Sequence, residues 1–158
     1  MKNILIINLR RLGDVYTTGH LINSLTANKE SKVSLLVFKE SARAAKNLKN
    51  VSCIHTIDRK EIITLMSNKL FSDGFALELL FNQLEELKNQ KWDEIINYSN
   101  DLIGAYICSY LRSSTDKMIG VRFNNERNVV TGSDWEILFN DIRSEEHTSE
   151  LQSHHVIS

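Results

Sequence analysis

Apolar and polar residues succeed one another along this chain in short blocks that predict strands and helices in turn. Asn3 to Leu9 (NILIINL) is a nearly continuous apolar run too short for a helix core, the pattern of a strand buried on both faces of a parallel sheet. After the turn Arg10 to Gly13, Val15, Leu21, Ile22 and Leu25 recur at helical spacing until the polar stretch NKESK ends the pattern. Val33 to Phe38 (VSLLVF) predicts a second strand, the Ala- and Lys-rich Ser41 to Leu48 a short helix, and Val51 to Ile57 (VSCIHTI), with apolar residues spaced by two, a third strand. Leu65 to Ser72 is ambiguous. Asp73 can cap a helix whose inner face is Leu77, Leu80, Phe81, Leu84 and Leu87, with Glu78, Glu85, Glu86 and Lys88 outside. A fourth strand, Glu94 to Tyr98, follows Trp92-Asp93. A helix carrying Leu102, Ile103, Tyr106, Ile107, Tyr110 and Leu111 comes next, then a fifth strand, Met118 to Val121. Strands alternating with helices imply right-handed crossovers, so the expected class is α/β: a Rossmann-like, mostly parallel sheet with helices on both faces.

Composition narrows the function classes. At 158 residues the chain has about one domain's length, and 19 Lys plus Arg against 20 Asp plus Glu give a net charge of −1, so no global field recruits nucleic acid. Any anion site must be local. No apolar run approaches the roughly 18 residues of a membrane span, and the short apolar stretch in MKNILIINLRR lacks the cleavage site of a signal peptide. Cys53 and Cys108 have no metal-ligand spacing and read as two buried thiols in a reducing cytoplasm. The segment 143–158 (RSEEHTSELQSHHVIS) has no hydrophobic period, and Arg143 to Ser153 resembles the in-frame translation of a sequencing-library adapter. It is expected to be an artefactual, disordered tail, with metal binding by His147, His154 and His155 as the rival reading. Residues 1–142 are then expected to form a domain that is itself cut short.

In open α/β sheets ligands collect where strands end and helices begin. The first such turn, Arg10-Arg11-Leu12-Gly13-Asp14-Val15, sets two cations and a carboxylate around a glycine that lets the backbone bend at little steric cost. The chain has neither G-x-G-x-x-G nor G-x-x-x-x-G-K-[ST] at this turn, so neither a dinucleotide cofactor nor a phosphate-cradling loop is supported. For Asp14 two roles stand side by side: an N-cap or first-turn carboxylate favoured by the helix dipole, and a general base at a crevice mouth beside Arg10 and Arg11. His20, at a helix position, and His55, inside the third strand, are expected to be structural, His55 as a satisfied sheet histidine.

Residues Ile4 to Leu25 (ILIINLRRLGDVYTTGHLINSL) resemble the opening of family 9 glycosyltransferases, the ADP-heptose:lipopolysaccharide heptosyltransferases, with their Gly-Asp-Val turn and Thr-containing helix start. VSLLVF, NVSCIHTIDRK, WDEIINYSNDLIGAYICSYL and MIGVRF resemble later segments of that family in the same order, so the similarity covers roughly residues 2–125. The resemblance implies the N-terminal half of a GT-B fold, holding the acceptor, with the nucleotide-sugar site in a second domain absent from this chain. It implies transfer of heptose from ADP-heptose to a lipopolysaccharide core acceptor with inversion, Asp14 as the base, no cofactor and no required metal. Arg10, Arg11, Gly13, Thr17, Thr18, Arg59, Lys60 and Arg122 become acceptor-binding candidates; for Lys60 and Arg122 a solvated surface charge is the competing reading, and for Thr17 and Thr18 a place in the helix's first turns. The enzyme would work in the cytosol, at the inner face of the inner membrane with room for peripheral association, and the fragment alone would be inactive. His20 and Gly19 stand where the family often has Pro and Thr, and Asn97-Tyr98-Ser99-Asn100 replaces an Asp-x-Gln-Gly seen in some members, which leaves the acceptor open. The rivals are a non-catalytic α/β module whose turn binds an anion, and a GT-B or epimerase enzyme using another nucleotide sugar.

Overall fold

The computed structural model describes residues 1–68, 73–99, 101–124, 126 and 128–130. Asn100 and the tail 143–158 lie outside them. The described chain runs β1 (Lys2–Ile7), α1 (Leu12–Thr26), β2 (Ser31–Phe38), α2 (Ala42–Lys46), β3 (Val51–Ile57), α3 (Arg59–Ser67), α4 (Asp73–Asn89), β4 (Glu94–Asn97), α5 (Leu102–Tyr110), β5 (Met118–Ile119), β6 (Arg122–Phe123) and β7 (Val129–Val130). Strands β1 to β5 form one parallel sheet in the order β3-β2-β1-β4-β5, and β6 pairs with β7 antiparallel. The central strand β1 joins β2 from Lys2↔Ser31 to Ile7↔Leu36 and β4 from Ile4↔Glu94 to Ile7↔Asn97. This is the Rossmann-like α/β sheet expected from the sequence.

Its central strands carry apolar residues on both faces because both faces are covered. On one side Ile4, Ile6, Val33, Leu35, Val37 and Ile96 pack with Val15 and Ile22 of α1 and Ala44 and Ala45 of α2. On the other, Leu5, Ile7, Leu36, Phe38, Ile57 and Ile95 meet Leu84 and Leu87 of α4, Trp92, and Ile107, Cys108 and Leu111 around α5. The Trp92 indole donates to the Leu87 carbonyl at 2.9 Å, fixing the entry from α4 to β4.

Several expectations are corrected. Cys53 is exposed, while Cys108 is buried as expected. The same strand carries a break in register: β2 residues Val33 and Ser34 pair with Val51 and Cys53, skipping Ser52. The extra residue shifts the alternation, so Val51 and Ile54 pack on the α1–α2 side, whereas His55 and Ile57 are buried. In α5 the inner face is Gly104, Ala105, Ile107 and Cys108, and Leu102, Ile103 and Tyr106 are exposed. Small residues let this helix lie close to β4, so the largest apolar side chains are not the ones facing the sheet. In α4 Leu77 is likewise exposed and Ala76 buried. Helix α3 was not expected; none of its residues is buried, and Asp58 starts it by accepting from the Glu61 amide at 3.1 Å.

Candidate functional site

The strand order reverses direction at β1: the chain passes from β1 outward to β2 and β3, then returns to β4 on the other side. The carboxyl ends of β1 and β4 therefore diverge into loops on opposite faces, leaving the crevice in which open α/β sheets bind ligands. The turn Asn8 to Asp14 forms one wall, and Tyr98 and Ser99 stand on the other.

The fully buried Asn8 organises the first wall. Its Nδ2 donates to Thr18 Oγ1 at 2.7 Å and to the Asp14 carbonyl at 3.2 Å, and its Oδ1 accepts from the Arg10 amide at 3.3 Å. Thr18 is thus a buried brace inside the turn, not a surface donor. The second wall is tied to the first: the amides of Tyr98 and Ser99 both donate to the Ile7 carbonyl, at 2.9 and 3.1 Å, and the Leu9 amide donates to Ser99 Oγ at 2.6 Å.

Asp14 is not the N-cap of α1. That position is Arg11, whose side chain makes no capping bond, and Asp14 lies one turn in, where the helix dipole still favours a carboxylate. With Arg11 as cap, Asp14 sits three residues into the helix, its side chain a third exposed and its carboxylate 3.7 Å from Arg10 Nε. Thr17, on the same helical face, donates to the Asp14 carbonyl at 2.6 Å, and its Oγ1 lies 3.4 Å from the Tyr98 hydroxyl. Arg11 is exposed. Gly13 is helical, and a Cβ there would meet nothing within 4 Å. Its value is therefore open space beside Asp14, since among the described glycines the left-handed backbone occurs at Gly120.

The remaining candidates divide into two groups. Arg59 and Lys60 follow β3 on the same edge of the sheet, two strands from β1 and thus about 10 Å away by strand spacing. Arg59 pairs with Glu40 at 2.9 Å and lies over the Phe38 ring. Lys60 lines a shallow site with Lys39, Glu40, Asp58 and Glu61. There the Lys39 bond and the Glu61 amide hold the Asp58 carboxyl below its ordinary range, and Asp58 in return raises the Lys39 ammonium. Arg122 faces elsewhere: it lines a cavity of about 430 Å³ with Ser109, Arg112, Lys117 and Phe123, and its Nη1 donates to the Gly120 carbonyl at 3.0 Å. The structure thus brings Arg10, Gly13, Asp14 and Thr17 together, sets Arg59 and Lys60 on the same rim, and separates Arg122.

His55 is buried but not satisfied. Among the described residues its Nε2 has no hydrogen-bond partner, its Nδ1 is 3.8 Å from Glu86, and burial pushes the imidazole below its ordinary value despite that carboxylate. Tyr98 and Asn8 were not singled out as site residues by sequence reasoning. The signal for both is position, as each ends a strand at the reversal point.

The fold is a Rossmann-like α/β domain, with the candidate turn at its topological switch point. No family model matches the sequence, and a search of curated proteins finds no match. Among solved structures the fold is similar to Escherichia coli heptosyltransferase WaaC with ADP, at TM-score 0.56 and 15% identity over 75% of this chain and 36% of that one. It is also similar to WaaC with ADP-2-deoxy-2-fluoro heptose, at 0.58 and 18% over the same shares. A glycosyl transferase family 9 protein from Veillonella parvula matches at 0.57 and 18%, over 75% of this chain and 31% of that one. The chain spans about a third of the length of each of these proteins.

Proposed function

We propose that this chain is the acceptor-side half of a glycosyltransferase of the heptosyltransferase type, working in the cytosol at the inner face of the inner membrane. The observation that carries the reading is the convergence of Asp14, Arg10, Thr17 and Tyr98 at the switch point of a sheet whose fold is similar to heptosyltransferases. In the reaction a lipopolysaccharide core hydroxyl attacks the anomeric carbon of ADP-heptose from the face opposite the nucleotide. The new C–O bond forms as the bond to ADP breaks, the configuration inverts, and the hydroxyl proton passes to the Asp14 carboxylate. Arg10 and Arg11 give the anionic groups of the acceptor a counter-charge, and Arg59 and Lys60 extend that charge along the rim.

The donor belongs to a second domain of a GT-B enzyme, so this chain alone is expected to turn over no ADP-heptose, because a base and an acceptor cleft cannot position an absent donor. The test is the gene read past codon 142 and its complete product assayed with ADP-heptose. Asp14→Asn should lower kcat by about 10² to 10⁴ with the acceptor KM nearly unchanged. A variant with wild-type kcat would leave Asp14 as a helix-dipole residue only.

A further inference from the structure

Neither the sequence resemblance nor the similar folds give Asn8 a part in the reaction. It is the first residue past β1, its side chain fully buried, and the chain at this point is fastened to both neighbouring strands. Its own amide donates to the Leu36 carbonyl of β2 at 2.9 Å, and the next amide, that of Leu9, donates to the buried Ser99 Oγ just past β4 at 2.6 Å. From this fixed point the carboxamide uses its whole donor capacity. One Nδ2 hydrogen goes to Thr18 Oγ1 at 2.7 Å and the other to the Asp14 carbonyl at 3.2 Å, while Oδ1 accepts from the Arg10 amide at 3.3 Å. The two residues whose main chain Asn8 grips, Arg10 and Asp14, are the two whose side chains approach to 3.7 Å. The first turn of α1 lacks the usual hold of a capping side chain, since Arg11 makes no such bond, and Gly13 within it adds backbone freedom.

We infer that Asn8 is the positioning residue of this turn: by binding the Asp14 carbonyl and the Arg10 amide from a point fixed in the sheet, it sets where the carboxylate and the guanidinium stand. Asn8 is buried beneath the turn and acts only through these two residues. Thr17 Oγ1 donates to the same Asp14 carbonyl at 2.6 Å, so the peptide that carries the carboxylate is held from the sheet by one side chain and from within α1 by another. A proton acceptor works only when its oxygen meets the attacking hydroxyl at hydrogen-bond distance, and a misplacement of about 1 Å can lower the rate about 100-fold. This inference rests on the glycosyltransferase reading, in which Asp14 is the base.

The test is a double-mutant cycle in the complete gene product, assayed with ADP-heptose and deacylated lipopolysaccharide core well below each variant's melting temperature. Asn8→Leu, of similar size and without polar atoms, and Asn8→Ser, short and still polar, are made together so that a folding failure in one leaves the other to be read. Each should lower kcat about 10- to 100-fold with the acceptor KM nearly unchanged. Combined with Asp14→Asn, each should lower kcat no further than Asp14→Asn alone, because a residue that acts through Asp14 has nothing left to position. Leu84→Ala, in the core on the other face of the sheet, is the control for lost stability and should keep kcat within about threefold of wild type. Effects of Asn8 and Asp14 that multiply, a loss confined to KM, or a Leu84→Ala protein as slow as the Asn8 variants would overturn the positioning role and leave the glycosyltransferase reading standing. A wild-type product that transfers no heptose would reject that reading, and the positioning role with it.

Discussion

Replacing Gly104 by alanine would put a methyl group where the fold has no room for it. A Cβ at this position lies 2.8 Å from both Cγ and Nδ2 of Asn97 and nearer still to Oδ1. That amide cannot swing aside cheaply. Asn97 is 3% exposed, its Nδ2 donates to the Val121 carbonyl at 2.8 Å, and its backbone is paired with Ile7 of β1. Moving the amide overpacks the layer between β4 and α5, at about 1–3 kcal/mol. Losing the bond to Val121 leaves a buried donor unsatisfied, about 1–3 kcal/mol more. Alanine's better helix propensity offsets at most about 1 kcal/mol. The net expectation is a loss of roughly 1–5 kcal/mol. Gly13→Ala is the internal control, since it also lies in a helix's first turn but has nothing within 4 Å of the added carbon. It should be neutral or stabilising by up to about 1 kcal/mol. Urea unfolding of both variants, followed by far-ultraviolet circular dichroism near neutral pH, compares them directly. A Gly104→Ala protein as stable as wild type, or a Gly13→Ala protein less stable than Gly104→Ala, would refute the packing argument.

Other consequences can be checked on the same chain. Because burial holds the folded His55 imidazole below its ordinary value of 6.5, the unfolded state takes up the proton first as pH falls. Stability should be greatest above that value and decline as pH drops through it toward the folded value, and His55→Phe should flatten that decline in denaturation curves taken at successive pH values. Parallel slopes in the two proteins would show that His55 is not the group responsible. Cys53 is exposed, whereas burial pushes the Cys108 thiol up to about 12. Ellman's reagent should therefore find one fast thiol in the native protein and two in guanidinium, and two fast native thiols would contradict the packing of α5. Thr18→Val removes the hydroxyl that accepts from Asn8 at 2.7 Å and should cost about 1–3 kcal/mol by leaving a buried amide short of a partner. An unchanged midpoint would mean that Asn8 does not brace the turn.

How much of this was legible in the sequence follows from what each residue answers to. The inner strands were plain because burial on both faces removes alternation and leaves runs such as Ile4–Ile7 and Val33–Phe38. The edge strand β3 was placed correctly, but the skipped residue Ser52, which no composition signal marks, puts Val51 on the same side as Ile54. Helix α3 gave no periodic signal because Ile63 and Met66 point to solvent; its start depends on the Asp58 cap and its place on packing against α4. The two-residue strands β6 and β7 are too short to carry a pattern. In α5 the sequence marks the helix by Leu102, Ile103, Tyr106, Ile107, Tyr110 and Leu111, of which Leu102, Ile103 and Tyr106 are exposed, while the fit to β4 also buries Gly104 and Ala105.

The site was legible only where one segment carried it. Arg10, Gly13 and Asp14 are neighbours in the chain, so the turn could be recognised as a unit. Tyr98 and Ser99 enter through register: Ile7 pairs with Asn97, and the next two amides after that pair both return to the Ile7 carbonyl. A slip of one residue in β4 would turn Tyr98 to the opposite face of the sheet and remove the phenol from α1. What holds the register is the buried Asn97, flanked by Gly104 on α5 and by the Gly120 turn, where an added Cβ would lie 2.5 Å from the Asn97 carbonyl oxygen. The two glycines that admit Asn97 therefore also set which side chain meets Thr17 on α1. Chemistry at this crevice thus depends on packing one layer beneath it.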